Sequence, residues 1–175
     1  VITLNPEMVV RAREDKAFVS CFHGEVLVVP DGIGIVLAGR RRGWPGIARV
    51  PGIELCECLA AEAARSGWPV FFFGGRPGVA EEAAAALARR YPGLRVAGTA
   101  HGYLSPEEEP ALVSAIAASG ARLLFVALGA PKQEIWLARN LAATGARVGM
   151  GVGGSFDVIA GRIPRAPCAW RRVGL

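Results

Sequence analysis

The aspartate with the clearest chemical potential in this chain follows an apolar run at Val26–Val29. Asp31 lies in the segment PDGIG and is one of only three aspartates in the sequence. A carboxylate held at the end of a strand can take a proton from a substrate hydroxyl, which is the work of a general base. The same residue type also caps helix N-termini well, and an apolar helix is predicted to follow. The pattern leaves both roles open.

A second polar group follows another apolar run, in the segment GAPKQE that begins at Gly129. Pro131 and Glu134 suit the first turn of a helix, where a missing N–H costs nothing and an acidic side chain favours the helix dipole. Helix geometry does not explain Lys132 and Gln133. We therefore predict that Gln133 faces a ligand, whereas Lys132 can meet a phosphate or only solvent.

Two further segments follow apolar runs and have small or aromatic residues. Gly74 and Gly75 come directly after Val70–Phe73. They would let a backbone approach a ligand closely beside a helix N-terminus that attracts phosphate, or they would only form a tight turn. His101 and Tyr103 follow the next run, and they can contact a base or a sugar or be incidental loop residues.

The last such segment is GGSFD, and its candidate residues are Gly153, Gly154, Phe156 and Asp157. Gly149, Gly151 and Gly154 match GxGxxG literally, but most of these glycines fall within a predicted strand. No acidic residue follows Asp157 to bind a ribose, so the motif does not indicate a dinucleotide site. The sequence also has no DxD motif and no acidic or histidine cluster with metal spacing, so we predict neither a metal nor a cofactor.

Alternating strands and helices must position these residues. The predicted strands are Glu25–Val29, Val70–Phe73, Leu94–Gly98, Leu123–Leu128 and Ala146–Val152. The predicted helices are Pro6–Phe18, Gly32–Arg41, Ile53–Ser66, Pro77–Tyr91, Pro106–Ser119 and Pro131–Ala143. Strict alternation with short connections predicts an α/β fold, in which a parallel sheet is covered by helices on both faces. In such sheets ligands bind beyond the carboxyl ends of the strands, where the candidate residues lie.

Composition sets the outer bounds. The chain has 175 residues, of which 52% are hydrophobic and 20% charged, which is typical of one globular domain. A net charge of +5 weakly favours an anionic partner. Nucleic acid is not predicted, because no basic stripe occurs outside Arg40–Arg42 and the C-terminal tail. No apolar run approaches the length that spans a bilayer.

Seven strings together resemble the WecG/TagA/CpsF glycosyltransferase family over nearly the whole chain. They are PDGIGIV, RVPG, FFFGG, HGY, LFVALGAPKQEIW, GVGGSFDVIAG and RAP. The resemblance implies a Rossmann-like, three-layer domain of the GT-E type. It also implies inverting, metal-independent transfer of an N-acetylmannosamine-type sugar from a UDP donor. The implied acceptor is a polyprenyl-diphosphate-linked sugar, usually undecaprenyl-diphosphate-linked GlcNAc, in teichoic acid and related surface-polymer pathways.

The same resemblance assigns residues. It places the catalytic base at Asp31, and Arg49 of RVPG opposite the diphosphate. Thr3 and Asn5 of ITLNPE match a strip near the family's active site, and Gln133 matches its glutamine.

The resemblance further implies a bacterial protein at the cytoplasmic face of the plasma membrane, with self-association. We expect that a basic, apolar C-terminal appendage is missing, since the chain ends at Leu175. Arg162–Leu175 has four arginines, no acidic residue and Trp170, which suits an anionic membrane surface or a solvated helix end. Two other classes stay open: a Rossmann-type oxidoreductase and a non-catalytic nucleotide-binding module.

Overall fold

The computed structural model describes residues 1–165, and the C-terminal residues 166–175, with Trp170, lie outside the described part. The elements in chain order are β1 Ile2–Leu4, α1 Pro6–Arg11, α2 Lys16–Ser20, β2 Val28–Pro30, α3 Ile33–Arg41, α4 Gly52–Ser66, β3 Pro69–Gly74, α5 Val79–Arg90, β4 Arg95–Ala100, α6 Glu109–Ser119, β5 Leu123–Ala127, α7 Lys132–Thr144, β6 Val148–Gly151 and α8 Ser155–Ile159. Within this part no helix is both long enough and apolar enough to cross a membrane.

The strands form two parallel sheets that lie side by side. Four strands pair in the order β4-β3-β5-β6, and β1 pairs with β2. The amino group of Val1 donates a hydrogen bond of 2.6 Å to the carbonyl of Gly149, which places β1 beside β6. Asn5, just after β1, lines the same cavity as Ala130, just after β5. The carboxyl ends of the strands therefore share one edge, and the predicted parallel α/β fold is confirmed.

Helices cover both faces of the larger sheet because alternate side chains of its strands point to opposite sides. Val70 and Phe72 of β3 belong to an apolar cluster with residues of α4, α5 and α8. Phe71 and Phe73 belong to a second cluster with residues of α6 and α7. Burial on both faces explains why β3 reads as a continuous apolar run.

Two glycines of β6 allow α7 to pack closely against the sheet. A Cβ atom at Gly149 would lie 2.6 Å from Leu137 Cδ2, and one at Gly151 would lie 2.6 Å from Gln133 Nε2. These distances are shorter than any tolerated contact, so larger residues would push α7 away. Helix packing thus accounts for the first two glycines of the GxGxxG match.

Local signals shift several predicted boundaries. The predicted helix Pro6–Phe18 is two helices, because the Asp15 carboxylate accepts a hydrogen bond of 2.9 Å from the Phe18 amide and starts a new helix. Pro131 is the N-cap of α7 and not its first residue, and the Ala130–Pro131 peptide bond is cis. The short helix α8 was not predicted.

Candidate active site

Asp31 lies at the carboxyl end of β2, where its backbone amide donates to the Leu4 carbonyl at 2.7 Å. Its side-chain Oδ2 accepts a hydrogen bond of 2.9 Å from the amide of Gly52, the first residue of α4. The carboxylate therefore caps α4 and not the adjacent helix α3, whose N-cap Gly32 makes no side-chain bond. The sequence left two roles open for Asp31, general base and helix cap. The carboxylate does cap a helix, but that helix begins 21 positions further along the chain. The other oxygen, Oδ1, lies 3.8 Å from Arg49 Nε.

Thr3 and Asp31 face the same small space at the start of α4. A Cβ atom at Gly52 would lie 3.2 Å from Thr3 Oγ1 and 3.3 Å from Asp31 Oδ2. Glycine at position 52 thus lets the helix amide reach the carboxylate. The side chains of Asp31 and Arg49 are 28% and 25% exposed, so a ligand can reach both. We call Thr3, Asp31, Arg49 and Gly52 the Asp31 cluster.

The segment between Asp31 and Gly52 leaves the sheet edge and returns to the same place. Its outgoing part is α3, and on its return the Val50 amide donates to the Pro30 carbonyl at 2.8 Å. We call residues 32–51 the α3 excursion. Because Asp31 bonds Gly52, the carboxylate closes the base of this excursion.

Gln133 is 5% exposed and joins two strand-end loops from inside. Its Oε1 accepts hydrogen bonds from the amides of Gly129 at 3.2 Å and Gly153 at 3.0 Å. Its Nε2 donates to Glu134 Oε1 at 2.8 Å. The Gln133 side chain, which was predicted to face a ligand, therefore binds the protein itself, and direct contact between Gln133 and a substrate stays a prediction.

Glu134 orients the Gln133 amide from a buried position. It is 3% exposed, and within residues 1–165 its Oε2 has no hydrogen-bond partner. Burial raises the pKa of the Glu134 carboxyl above its ordinary value, although the hydrogen bond from Gln133 opposes this. The expected place of Glu134 in the first turn of a helix is confirmed, and the side chain is buried there beside Gly151.

A cleft of about 1320 Å³ opens beyond β3 and β5. Of the predicted residues, Gly75, Tyr103 and Asp157 line it, as does Lys132. Three arginines that the sequence reasoning did not single out also line it: Arg76, Arg139 and Arg162. Arg162 is paired with Glu82, and the positive charge of Arg76, Lys132 and Arg139 along the wall suits an anionic ligand. A signal existed for two of these arginines, because Arg76 follows the end of β3 by two positions and Arg139 lies on the helix that follows β5, whereas Arg162 comes only after α8.

Aromatic residues form part of the same cleft, which we call the β3–β5 cleft. Tyr103 is 68% exposed, so its ring is accessible for stacking. Trp136 is only 6% exposed and packs on Phe73 with ring centroids 4.9 Å apart. Its indole N–H has no acceptor within residues 1–165, although the residue lines the cleft.

Other predicted binding residues have structural roles. A Cβ atom at Gly74 would lie 2.4 Å from the Ala127 carbonyl oxygen, so this glycine permits strand pairing. Phe156 is fully buried, with its ring centroid 5.7 Å from that of Phe72, so it supports the cleft loops from the core and is not exposed to a ligand. The Asn5 side chain caps α1 by accepting a hydrogen bond of 2.9 Å from the Met8 amide.

The predicted site residues therefore form two groups along one edge, and not a single pocket. With strands spaced about 4.8 Å apart, the end of β2 lies roughly 15 Å from the end of β5. Between the two groups, added Cβ atoms at Gly129, Gly153 and Gly154 would meet nothing within 4 Å. These three glycines border open space.

Within residues 1–165, no group of three or more His, Cys, Asp or Glu side chains could hold a metal ion.

The family model described as "Glycosyl transferase WecG/TagA/CpsF family" matches residues 1–175, the whole of the chain.

Proposed function

Because the chain belongs to the WecG/TagA/CpsF family of glycosyl transferases, we propose that it transfers an N-acetylmannosamine-type sugar from a UDP donor. The proposed acceptor is an undecaprenyl-diphosphate-linked GlcNAc, and the product serves a cell-surface polysaccharide of the teichoic acid type. Family membership supports a glycosyltransferase of cell-surface polysaccharide synthesis. The donor, the acceptor and the inverting, metal-independent chemistry are our proposals.

The orientation of Asp31 carries the proposal. The Gly52 amide holds Oδ2 at 2.9 Å, which leaves Oδ1 on a side chain that is partly open to solvent. A carboxylate fixed in this way can accept the proton of the acceptor hydroxyl as its oxygen attacks the anomeric carbon. The bond from that carbon to the UDP phosphate oxygen breaks with inversion, and UDP leaves. Arg49 lies beside the same oxygen and would face the diphosphate.

The β3–β5 cleft is the proposed place for the nucleotide. Tyr103 offers a ring on which a uracil can stack. Lys132, Arg76 and Arg139 line the walls and would attract the diphosphate. The N-terminus of α7 also favours negative charge on the leaving group.

The open space above the loop glycines would connect the nucleotide in the cleft to the catalytic base, Asp31. A donor whose uracil lies in the cleft must extend across about 15 Å to bring its sugar to Asp31. Gly129, Gly153 and Gly154 present no side chain along that route. In this arrangement Gln133 would act from below, by holding the two loops at a fixed distance.

Substitution of Asp31, the proposed catalytic base, separates proton transfer from nucleotide binding. Asp31→Asn keeps an oxygen that can accept from the Gly52 amide, so the fold should persist while proton transfer is lost. We expect transfer to an undecaprenyl-diphosphate-GlcNAc analogue to fall by about 10²–10⁴-fold, with UDP affinity within about 3-fold of wild type. Asp15→Asn is the matched control, because Asp15 caps α2 away from the cluster.

Transfer that survives Asp31→Asn within a few-fold would show that Asp31 is not the base. NMR of the product reports the anomeric configuration, and retention would refute the inverting step. Equal rates with and without EDTA are expected, and a loss in EDTA would refute metal independence. Tyr103→Ala should weaken UDP binding about 10-fold, and unchanged binding would refute the nucleotide position.

Domain organisation, cellular location and self-association are also part of the proposal. We propose that residues 1–175 are one domain that acts at the cytoplasmic face of a bacterial plasma membrane, where a lipid-linked acceptor is held. Self-association is part of this proposal, and it is not needed for the geometry of Asp31.

A further inference from the structure

The α3 excursion presents an apolar stripe to solvent. Ile33 and Leu37 lie one turn apart on α3 and are 39% and 49% exposed, and Trp44, just past the helix end, is 63% exposed. Within residues 1–165, none of the three buried apolar clusters includes a residue of positions 33–51. Ile33 and Leu37 share one exposed face of α3, and several exposed apolar side chains of this size in one segment are typical of an interaction surface.

Positive charge borders the stripe on both sides. At 100° per residue, Arg40 lies about 20° to one side of Ile33 and Arg41 about 40° beyond Leu37. Arg42 follows directly, and positions 32–53 contain four arginines and no acidic residue. None of the ion pairs found within residues 1–165 involves Arg40, Arg41 or Arg42.

The stripe is held in place by the excursion itself. Val36 is 2% exposed, on a face of α3 that lies about 60° from Ile33 and 100° from Leu37. A Cβ atom at Gly39 would lie 2.8 Å from Ile47 Cδ1 and 3.5 Å from Trp44 Cε3, so the returning segment folds against the helix. Trp44 is therefore a supported side chain with an exposed ring.

We propose that the α3 excursion docks on an anionic lipid bilayer. An apolar stripe with a tryptophan, bordered by arginines and free of acidic residues, matches a surface that inserts among acyl chains while its cations meet lipid phosphates. Arginine stems can lie along the apolar boundary with their guanidinium groups in the headgroup layer. An acidic protein would satisfy the arginines but would leave Leu37 and Trp44 without an apolar partner.

The α3 excursion begins and ends beside Asp31, so docking would position the proposed catalytic base. This consequence rests on the proposed function. Both ends of the excursion meet at Asp31, through Asp31 itself and Gly52. A helix of nine residues is about 13 Å long, so the docked surface lies within one helix length of the carboxylate. Docking would bring Asp31 to the depth at which a lipid-linked diphosphate sugar leaves the bilayer.

Sedimentation with vesicles tests the surface without any requirement for turnover. The full chain is mixed with vesicles of phosphatidylcholine and phosphatidylglycerol, or of phosphatidylcholine alone. Each arginine near an anionic surface contributes about 5-fold, so Arg40→Gln/Arg41→Gln/Arg42→Gln should weaken binding roughly 100-fold. The control triple removes the same charge from the opposite end of the sheet; it changes Arg89, Arg122 and Arg147 to Gln and should have an effect of no more than about 3-fold.

A second pair of variants, one test and one control, examines the apolar residues of the surface. Leu37→Ser should weaken binding by about 5-fold or more, whereas Val96→Ser, at a residue 41% exposed on β4, should not. The proposal is overturned if wild type does not bind the anionic vesicles, or if the α3 and control triples lose affinity equally. It is also overturned if the α3 variants bind normally but change the sedimentation coefficient of the free protein, since the surface would then join two copies.

Failure of the proposed function gives a different result. UDP binding and transfer to a short-chain acceptor in solution should be unchanged in the α3 variants, because none of these residues belongs to the Asp31 cluster or the β3–β5 cleft. Absence of transfer by wild type together with normal vesicle binding would refute the activity and leave the docking surface standing.

Discussion

Replacement of Gln133 by leucine should show how strongly its buried amide joins the strand-end loops. The change removes the acceptor for the Gly129 and Gly153 amides and the donor to Glu134. Each partly buried amide should cost about 0.5–1 kcal/mol, because water can replace the lost partner in part. The buried Glu134 oxygen should cost about 1–2 kcal/mol, because no donor replaces Nε2. We expect the free energy of unfolding to fall by about 3 kcal/mol.

Urea unfolding at pH 7 measures this change, and a double-mutant cycle identifies its source. Lys132→Leu is the adjacent control on the exposed side of α7, and its effect should stay within about 0.5 kcal/mol. In a Glu134→Leu background no carboxylate is left without a donor, so Gln133→Leu should cost at least about 1 kcal/mol less. A cost for Gln133→Leu below about 1 kcal/mol, or an equal cost in both backgrounds, would refute the network.

Three further predictions concern single positions. Burial raises the folded-state pKa of Glu134 above its ordinary 4.5, so wild-type stability should fall as pH rises from 4.5 to that raised pKa. Glu134→Gln should therefore gain relative stability across that window in urea unfolding, and parallel curves would contradict the burial effect. Gly74→Ala should cost about 3 kcal/mol or more, because its Cβ would meet the Ala127 carbonyl at 2.4 Å and its φ is +121°. Gly43→Ala, with φ +90° and nothing nearby, isolates the backbone part, and equal costs for the two would count against the clash. Asn5→Ala should lower the unfolding free energy by about 1 kcal/mol and Asn5→Asp should not; a loss of transfer without a loss of stability would instead support a substrate role.

Much of the fold was predictable because its signals are local. The strands around Val70–Phe73 and Leu123–Ala127 are buried on both faces, which requires continuous apolar runs. Gly67, Gly120 and Gly145 end their helices in the left-handed conformation, which glycine adopts without steric cost. The break at Asp15 was missed, since an aspartate inside an apolar-periodic segment reads equally well as an exposed helix residue.

The candidate site was predictable only in part, because side-chain partners depend on how distant loops meet. Asp31 was placed correctly at a strand end, but its bond to Gly52 crosses 21 positions that no local pattern connects. In the sequence, Gln133 was a polar residue without a structural explanation. Its partner Gly153 lies 20 positions away in another loop, so no local pattern connects the two. Phe156 was predicted beside a ligand because its segment follows a strand end, but its ring packs in the core.

The closed base of the α3 excursion makes this segment exchangeable. Its ends are fixed by the Val50 amide on Pro30 and the Gly52 amide on Asp31, so the sheet does not depend on what lies between them. Replacing residues 32–48 by a glycine-serine bridge of about six residues, with Arg49 kept, would change loop-closure entropy by only about 1 kcal/mol. A designer can therefore graft a different anchoring peptide there while Thr3, Asp31, Arg49 and Gly52 stay in place.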